Sequence, residues 1–152
     1  GADELCVHAR TRVQGYKPPA HWHKIAAIKD HVSIPIIANG DIWSADDARA
    51  AQAHSHCQDL MLGRGSLSRP DLARIIRAAF NHETYQALVW QDIQTILLQQ
   101  LSLLEDQPDK YVTSRLKQWL LYLKRSYPEA ATLFQTIKRL HCTDTIKPLM
   151  IH

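Results

Sequence analysis

Ile36-Ile37-Ala38-Asn39-Gly40-Asp41-Ile42 is a short apolar run that stops at an amide, a glycine and a carboxylate. A strand buried on both faces of a parallel sheet reads as such a run. In a parallel barrel the polar residues just past its C-terminal end face the mouth where the chemistry is done. Two further stretches repeat the pattern on either side: VHART at 7–11 and LMLGRG at 60–65. Asn39-Gly40-Asp41 and Gly63-Arg64-Gly65 are therefore the first places to seek a site. The second reads as a phosphate cradle, in which glycines let main-chain N–H groups approach an oxyanion and the arginine neutralises it.

Working outward, the first 80 residues alternate strand and helix. Leu5–His8 reads as a strand, and a loop with Gly15, Pro18 and Pro19 leads to a helix near Trp22–Asp30. Ile34–Ala38 reads as the next strand, with Pro35 near its start, where a missing N–H costs least. Ser44 followed by Asp47 resembles a capping box and opens a helix to about Ala53. Asp59–Leu62 is a third strand, and Pro70-Asp71 starts a helix to about Phe80. Such repeats imply a parallel sheet with right-handed crossovers. After Asn81 the periodicity is wholly helical. Three apolar stripes are marked by Val89 to Leu104, Val112 to Tyr127 and Ala130 to Leu140, as in an antiparallel bundle. Trp22, Trp90 and Trp119 lie on or beside apolar stripes and are read as core. Three strands cannot close a barrel of eight. The fold class expected is therefore α/β plus all-α. Residues 1–80 would form the last strands and helices of a TIM (β/α)8 barrel and residues 81–152 a C-terminal helical bundle domain, with the front of the barrel absent.

The 152 residues carry a net charge of +3, with 45% hydrophobic and 22% charged residues, ordinary values for a globular protein. No apolar run reaches the length of a membrane span and no signal peptide precedes the first strand, so a cytoplasmic protein is expected. Cys6, Cys57 and Cys142 suggest reduced thiols, not a disulfide framework. The nine histidines have no metal-ligand spacing, and no metal site is expected. The modest net charge hides a polarity. Residues 81–109 hold five acids and no Lys or Arg, whereas residues 110–147 hold eight bases and two acids. That excess suits a surface that meets a polyanion, or a solvated face paired with the acidic stretch before it. Lys117, Leu121, Lys124 and Arg125 fall roughly opposite the second apolar stripe and are expected to face outward.

Taken together, VHART followed by Gly15-Tyr16, then IPIIANGDIW, then MLGRG, and finally RLKQWLLYLKRSYPEAATLFQ at 115–135 resemble the tRNA-dihydrouridine synthases. Within that family the resemblance is to the bacterial C subfamily, which modifies uridine 16 of the tRNA D-loop. The resemblance covers essentially the whole chain and implies an FMN-dependent, NADPH-linked oxidoreductase of tRNA. It implies that Asn39, Gly40 and Asp41 line the FMN and that Gly63 and Arg64 meet its phosphate. It places His8 near the flavin ring and the uracil, where a polarised N–H could stabilise developing charge. Tyr16, Arg115, Lys117 and Lys138 match tRNA contacts. The partners implied are tRNA, with neither membrane nor DNA, and self-association through exposed barrel edges.

Two positions depart from the family pattern. Ala9 stands where the family usually has Gly, and Lys138 stands in place of Arg, which keeps the charge but loses the bidentate fork. The family's general-acid cysteine and a flavin-holding lysine belong to earlier segments. Cys6, Cys57 and Cys142 do not occupy the matching context, so no catalytic residue is assigned in this chain beyond the polarising role of His8. Plainer readings stand beside these: His8 as a strand-end histidine, Asn39 and Asp41 as turn caps, Arg64 paired with an acid of its own loop. Trp43 could shield the flavin edge. At the level of function, the alternatives are a non-catalytic RNA-binding fragment and another flavin- or phosphate-binding barrel enzyme.

Overall fold

A computed structural model describes residues 1–15 and 17–151. They divide into two compact units, residues 1–85 and 86–152.

The first unit is built on three parallel strands, β1 (Leu5–His8), β2 (Ile36–Asn39) and β3 (Asp59–Met61), in the order β1-β2-β3. The register sets Val7 beside Ala38 and Leu60, and His8 beside Asn39 and Met61. Because side chains alternate along a strand, one face of the sheet carries Val7, Ile36, Ala38 and Leu60. That face is buried: Ile36 and Ala38 pack with Ile25, Cys57 and Trp22. The other face presents Cys6, His8, Asp59 and Met61, all exposed. Helices α1 (Trp22–Lys29) and α2 (Ala45–Ser55) cross between successive strands, as parallel pairing requires. Ala48 and Ala51 of α2 are completely buried, and their small side chains let the helix settle close to its neighbours. Among the described residues, β1 and β3 pair only with β2.

β2 begins two residues later than the Ile34–Ala38 expected from the sequence. Pro35 has no N–H to give the ladder, and joins it only through its carbonyl, which accepts from the Leu5 N–H at 2.9 Å. Ser44 caps α2 by accepting from the Asp47 N–H at 3.0 Å. The Asp47 carboxylate reaches back one residue further than the usual capping box, to the N–H of Trp43 at 3.0 Å. After β3 comes a short helix, α3 (Arg64–Ser68), that the sequence does not announce, because Gly63 just before it and Gly65 within its first turn argue against helix. Helix α4 (Leu72–Asn81) completes the unit, with Leu72 and Ile76 buried against Ile42, Ala48 and Ala51.

The second unit is helical. Helix α5 (Trp90–Leu103), α6 (Asp109–Leu123), α7 (Pro128–Ile137) and α8 (Thr143–Ile146), followed by a 3-10 turn at Lys147–Met150, share one apolar core. Leu97, Leu116, Leu120 and Leu123 are fully buried in it, each stabilising the unit by about 2 kcal/mol. The stripe residues that predict α5 to α7 fill or border this core, except Val89, which caps α5 and is 55% exposed. The short α8 and the turn after it were not anticipated, since four residues show no periodicity, yet Ile146 and Met150 are both buried. One expected exposure fails: Lys117 is half-buried, and its ammonium donates to the Leu140 carbonyl just beyond α7.

Candidate functional site

The residues singled out in the first unit meet at the C-terminal ends of the three strands. After Asn39 the chain turns through two residues of positive φ, Gly40 at 129° and Asp41 at 51°. Position 40 requires glycine twice over. Its φ is disfavoured for other residues, and a Cβ there would lie 3.2 Å from the Ala9 Cβ and 3.3 Å from the His8 ring. Aspartate tolerates the left-handed region better than most residues, which suits position 41. Ala9 itself is not among the positive-φ residues, so the change from glycine costs no backbone strain there.

The turn points the Asp41 carboxylate at two arginines. Arg10 donates to one oxygen through Nη2, and Arg64 lies 3.3 Å from the other. Arg10 is wholly buried at its side chain; its Nε donates to the Pro19 carbonyl at 3.2 Å. Its Nη1 is buried with no hydrogen-bond partner among the described residues. Burial, and then the like charge of Arg64, hold the Arg10 guanidinium below its ordinary pKa. Arg64 also lies 5.4 Å from the Trp43 ring centroid, a cation–π distance. So Arg64 does pair with an acid, though one supplied by the loop after β2 instead of its own, and Trp43 packs against that arginine.

Three further contacts hold this arrangement. The Asn39 side-chain amide donates to the Met61 carbonyl at 2.7 Å, tying the end of β2 to the end of β3. The Trp22 indole donates to the Gly40 carbonyl at 2.8 Å, fixing the turn from behind. The His8 ring, exposed, lies against Gly40. Gly63 precedes α3 with room beside it, Asn39 Nδ2 being 4.0 Å from its notional Cβ. Gly65 is close-packed: a Cβ there would fall 2.1 Å from the Ile42 carbonyl oxygen. His8, Asn39, Gly40, Asp41, Gly63 and Arg64 are thus gathered in one place. Arg10 and Trp22 belong with them and were missed as site residues. Arg10 lay in plain view inside VHART, but a lone arginine does not name its partner 31 residues away. Cys6 lies on the same face of the sheet as His8, with its thiol donating to the Met61 sulfur at 3.3 Å. Burial, and secondarily Glu4, push that thiol's pKa up, away from a reactive thiolate.

In the second unit, Arg115 and Lys138 are exposed. Arg115 donates to Gln118 at 3.0 Å and lies 5.1 Å from the Tyr111 ring centroid. Lys138 donates to Gln135 at 2.5 Å. Lys117 borders the same groove as Arg115 while anchored to Leu140. Tyr16 lies outside the described residues. Among the described residues, no helix is long and apolar enough to cross a membrane.

Polar residues converging at the C-terminal ends of parallel strands define the class: a parallel α/β protein whose candidate site lies at the strand ends. The model of the dihydrouridine synthase (Dus) family matches residues 1–147, and the chain belongs to that family. It is similar to a tRNA-dihydrouridine(16) synthase of Pseudomonas putida, 46% identical over 140 residues that cover 91% of this chain and 43% of the relative. Relatives of the same name in Aquipseudomonas alcaligenes and Neisseria meningitidis serogroup A are 43% and 39% identical, each over 99% of this chain. Those matches cover 48% and 46% of the relatives, so the chain spans about half the length of the curated relatives it matches. The family's fold is a TIM barrel and its enzymes are flavin-dependent oxidoreductases. The three parallel strands backed by helices are consistent with a segment of such a barrel. Membership replaces the reading as some other phosphate-binding barrel enzyme.

Proposed function

We propose that this chain is part of a tRNA-dihydrouridine synthase that uses FMN and NADPH to reduce uridine, at position 16 of the D-loop, to 5,6-dihydrouridine. Residues 1–80 would be the C-terminal part of the FMN-binding barrel and residues 81–152 a helical bundle domain that binds tRNA. The observation that carries the proposal is the clamp on Asp41. Two guanidiniums against one carboxylate leave a net positive charge at the strand ends, with a buried Arg10 Nη1 still lacking a partner among the described residues. That donor set fits a phosphate-bearing cofactor.

In this reading Gly63 and Arg64 hold the FMN phosphate, while Asn39, Gly40 and Asp41 line the cofactor. When bound, FMN supplies hydride transfer to the uracil ring, with NADPH as the source of electrons. The chain's own residues orient and polarise. His8, held against Gly40, offers an N–H to negative charge developing on a uracil carbonyl. Arg10 acts through Asp41, keeping the carboxylate fixed so that Arg64 has a defined position. Trp22 and Asn39 keep the turn and the neighbouring strand end in register. The general-acid cysteine implied by the family resemblance has no counterpart in Cys6, Cys57 or Cys142.

Arg115, Lys117 and Lys138 would bind the tRNA through its phosphates and shape while the target base leaves its stack. A second reading, a non-catalytic RNA-binding fragment, is favoured by one observation. The described sheet has two open edges, and the face bearing His8 and Cys6 is uncovered. The same edges would support self-association. Two measurements on the purified chain test the proposal. Flavin absorption bands retained after excess FMN is removed, and lost in Arg64→Ala, are the expected result; retention unaffected by Arg64→Ala would overturn the phosphate assignment. Binding to tRNA should exceed binding to duplex DNA at the same salt, and equal binding would overturn tRNA as the partner.

A further inference from the structure

Along α6, Tyr111, Arg115, Gln118 and Leu121 recur at spacings of three and four and so share one side of the helix. With Phe134 of α7 they line an open groove of about 810 Å3, within the roughly 300–1,000 Å3 range of sites that take small-molecule-sized groups. The groove has two chemistries. Its floor is aromatic and aliphatic: Tyr111 and Leu121 are 43% and 44% exposed, large apolar groups left open to solvent. Its rim is cationic, with Lys110, Arg115 and Lys117 among the lining residues and no carboxylate. The Arg115 guanidinium carbon is 5.1 Å from the Tyr111 ring centroid, so cation and ring together form a platform for a π system.

A phosphate-only surface needs charge and no apolar floor. A groove for an apolar peptide helix needs the floor and gains nothing from three cations without a counter-charge. A flat apolar ring attached to a phosphodiester needs both, with the base stacked on Tyr111 and its phosphates beside Lys110 and Arg115. We infer that the α6–α7 groove is a binding site for one unstacked nucleotide of an RNA chain, with Tyr111 as its stacking surface. The inference rests on the reading of the second unit as tRNA-binding and adds a base-contacting pocket to what would otherwise be phosphate contacts alone. Lys117 contributes charge from a fixed position, because its ammonium is already anchored on the Leu140 carbonyl.

The test is binding of the 152-residue chain and its Tyr111→Leu and Tyr111→Phe variants to tRNA and, in parallel, to heparin, a polyanion without bases. Tyr111→Leu is expected to weaken tRNA binding about tenfold, with the salt dependence unchanged and heparin binding unaffected. Tyr111→Phe, which keeps the ring, is expected to bind tRNA as the parent chain does. Equal tRNA affinity in Tyr111→Leu would overturn the pocket while leaving tRNA binding intact. Equal losses for tRNA and heparin would overturn it as well, by making Tyr111 a structural support for the cations. Failure of the parent chain to bind tRNA at all would remove both the pocket and the reading on which it rests.

Discussion

Neutralising Asp41 should damage the first unit far more than removing Arg64, although both changes break the same ion pair. In Asp41→Asn, Arg10 keeps its charge and loses its counter-ion. Its side chain has no solvent exposure, its Nη1 is already without a partner among the described residues, and Arg64 still repels it. Leaving a buried charge uncompensated costs about 3–5 kcal/mol. Asparagine can accept one of the lost hydrogen bonds, which puts the expected cost near the lower end, about 3 kcal/mol. Arg64→Met is different. Arg64 is about one-third exposed, and Asp41 retains Arg10 when it is gone. A screened pair and one cation–π contact together come to about 1 kcal/mol. The Trp22 indole N–H, bonded to Gly40 beside Asp41, is a local reporter, and its NMR signal followed through a urea titration reads the stability of this unit. A shift in midpoint about three times larger for Asp41→Asn than for Arg64→Met is expected. Equal shifts, or none for Asp41→Asn, would refute the view that Asp41 chiefly neutralises a buried arginine.

Gly65→Ala should destabilise the first unit by about 3 kcal/mol, since its Cβ would meet a main-chain oxygen at 2.1 Å, while Gly63→Ala, whose Cβ would touch only the Asn39 side-chain amide at 4.0 Å, should cost under about 1 kcal/mol. Thermal denaturation of the two variants checks the contrast. Lys117→Gln should lower both the thermal midpoint, through loss of the Leu140 tether, and the slope of log affinity for tRNA against log salt by about one. An unchanged slope would restrict Lys117 to the tether. The Thr143 hydroxyl, chiefly, holds the Asp109 carboxyl below its usual pKa near 3.8. A folded pKa below the unfolded one means that the contribution to stability is complete above the unfolded value and fades as pH falls through the folded one. Acid unfolding of the second unit should therefore begin at higher pH in Thr143→Val than in the parent chain, by circular dichroism.

The strands were legible because three short apolar runs, each with a polar end, occur in order, although only β2 has buried residues and β1 and β3 are largely exposed. The gathering of His8, Asn39, Asp41 and Arg64 was legible for the same reason: they are those ends or lie just beyond them. Partnerships were not. Asp41 is bound by arginines 31 and 23 residues away, and nothing local to either arginine specifies a carboxylate at that distance. The late start of β2 follows from Pro35, which has no N–H for the ladder and joins it only through its carbonyl. The exposure of Lys117 was inferred from helical periodicity, which gives a direction in cross-section and takes no account of the neighbouring helix end. Its long stem lets the ammonium reach the Leu140 carbonyl while the helix face stays as predicted.

The clamp on Asp41 draws one group from beyond each of the three strands, Arg10 after β1, Asp41 after β2 and Arg64 after β3. No single strand–helix–strand piece contains it, so during folding the charges converge only when the last of the three strands has docked. Until then Arg10 and Arg64 are hydrated, mutually repelling and free of each other. The site thereby acts as a completion signal for this part of the chain: an anion that needs both arginines would bind only after all three strands are in place, and in binding would draw the folding equilibrium behind it.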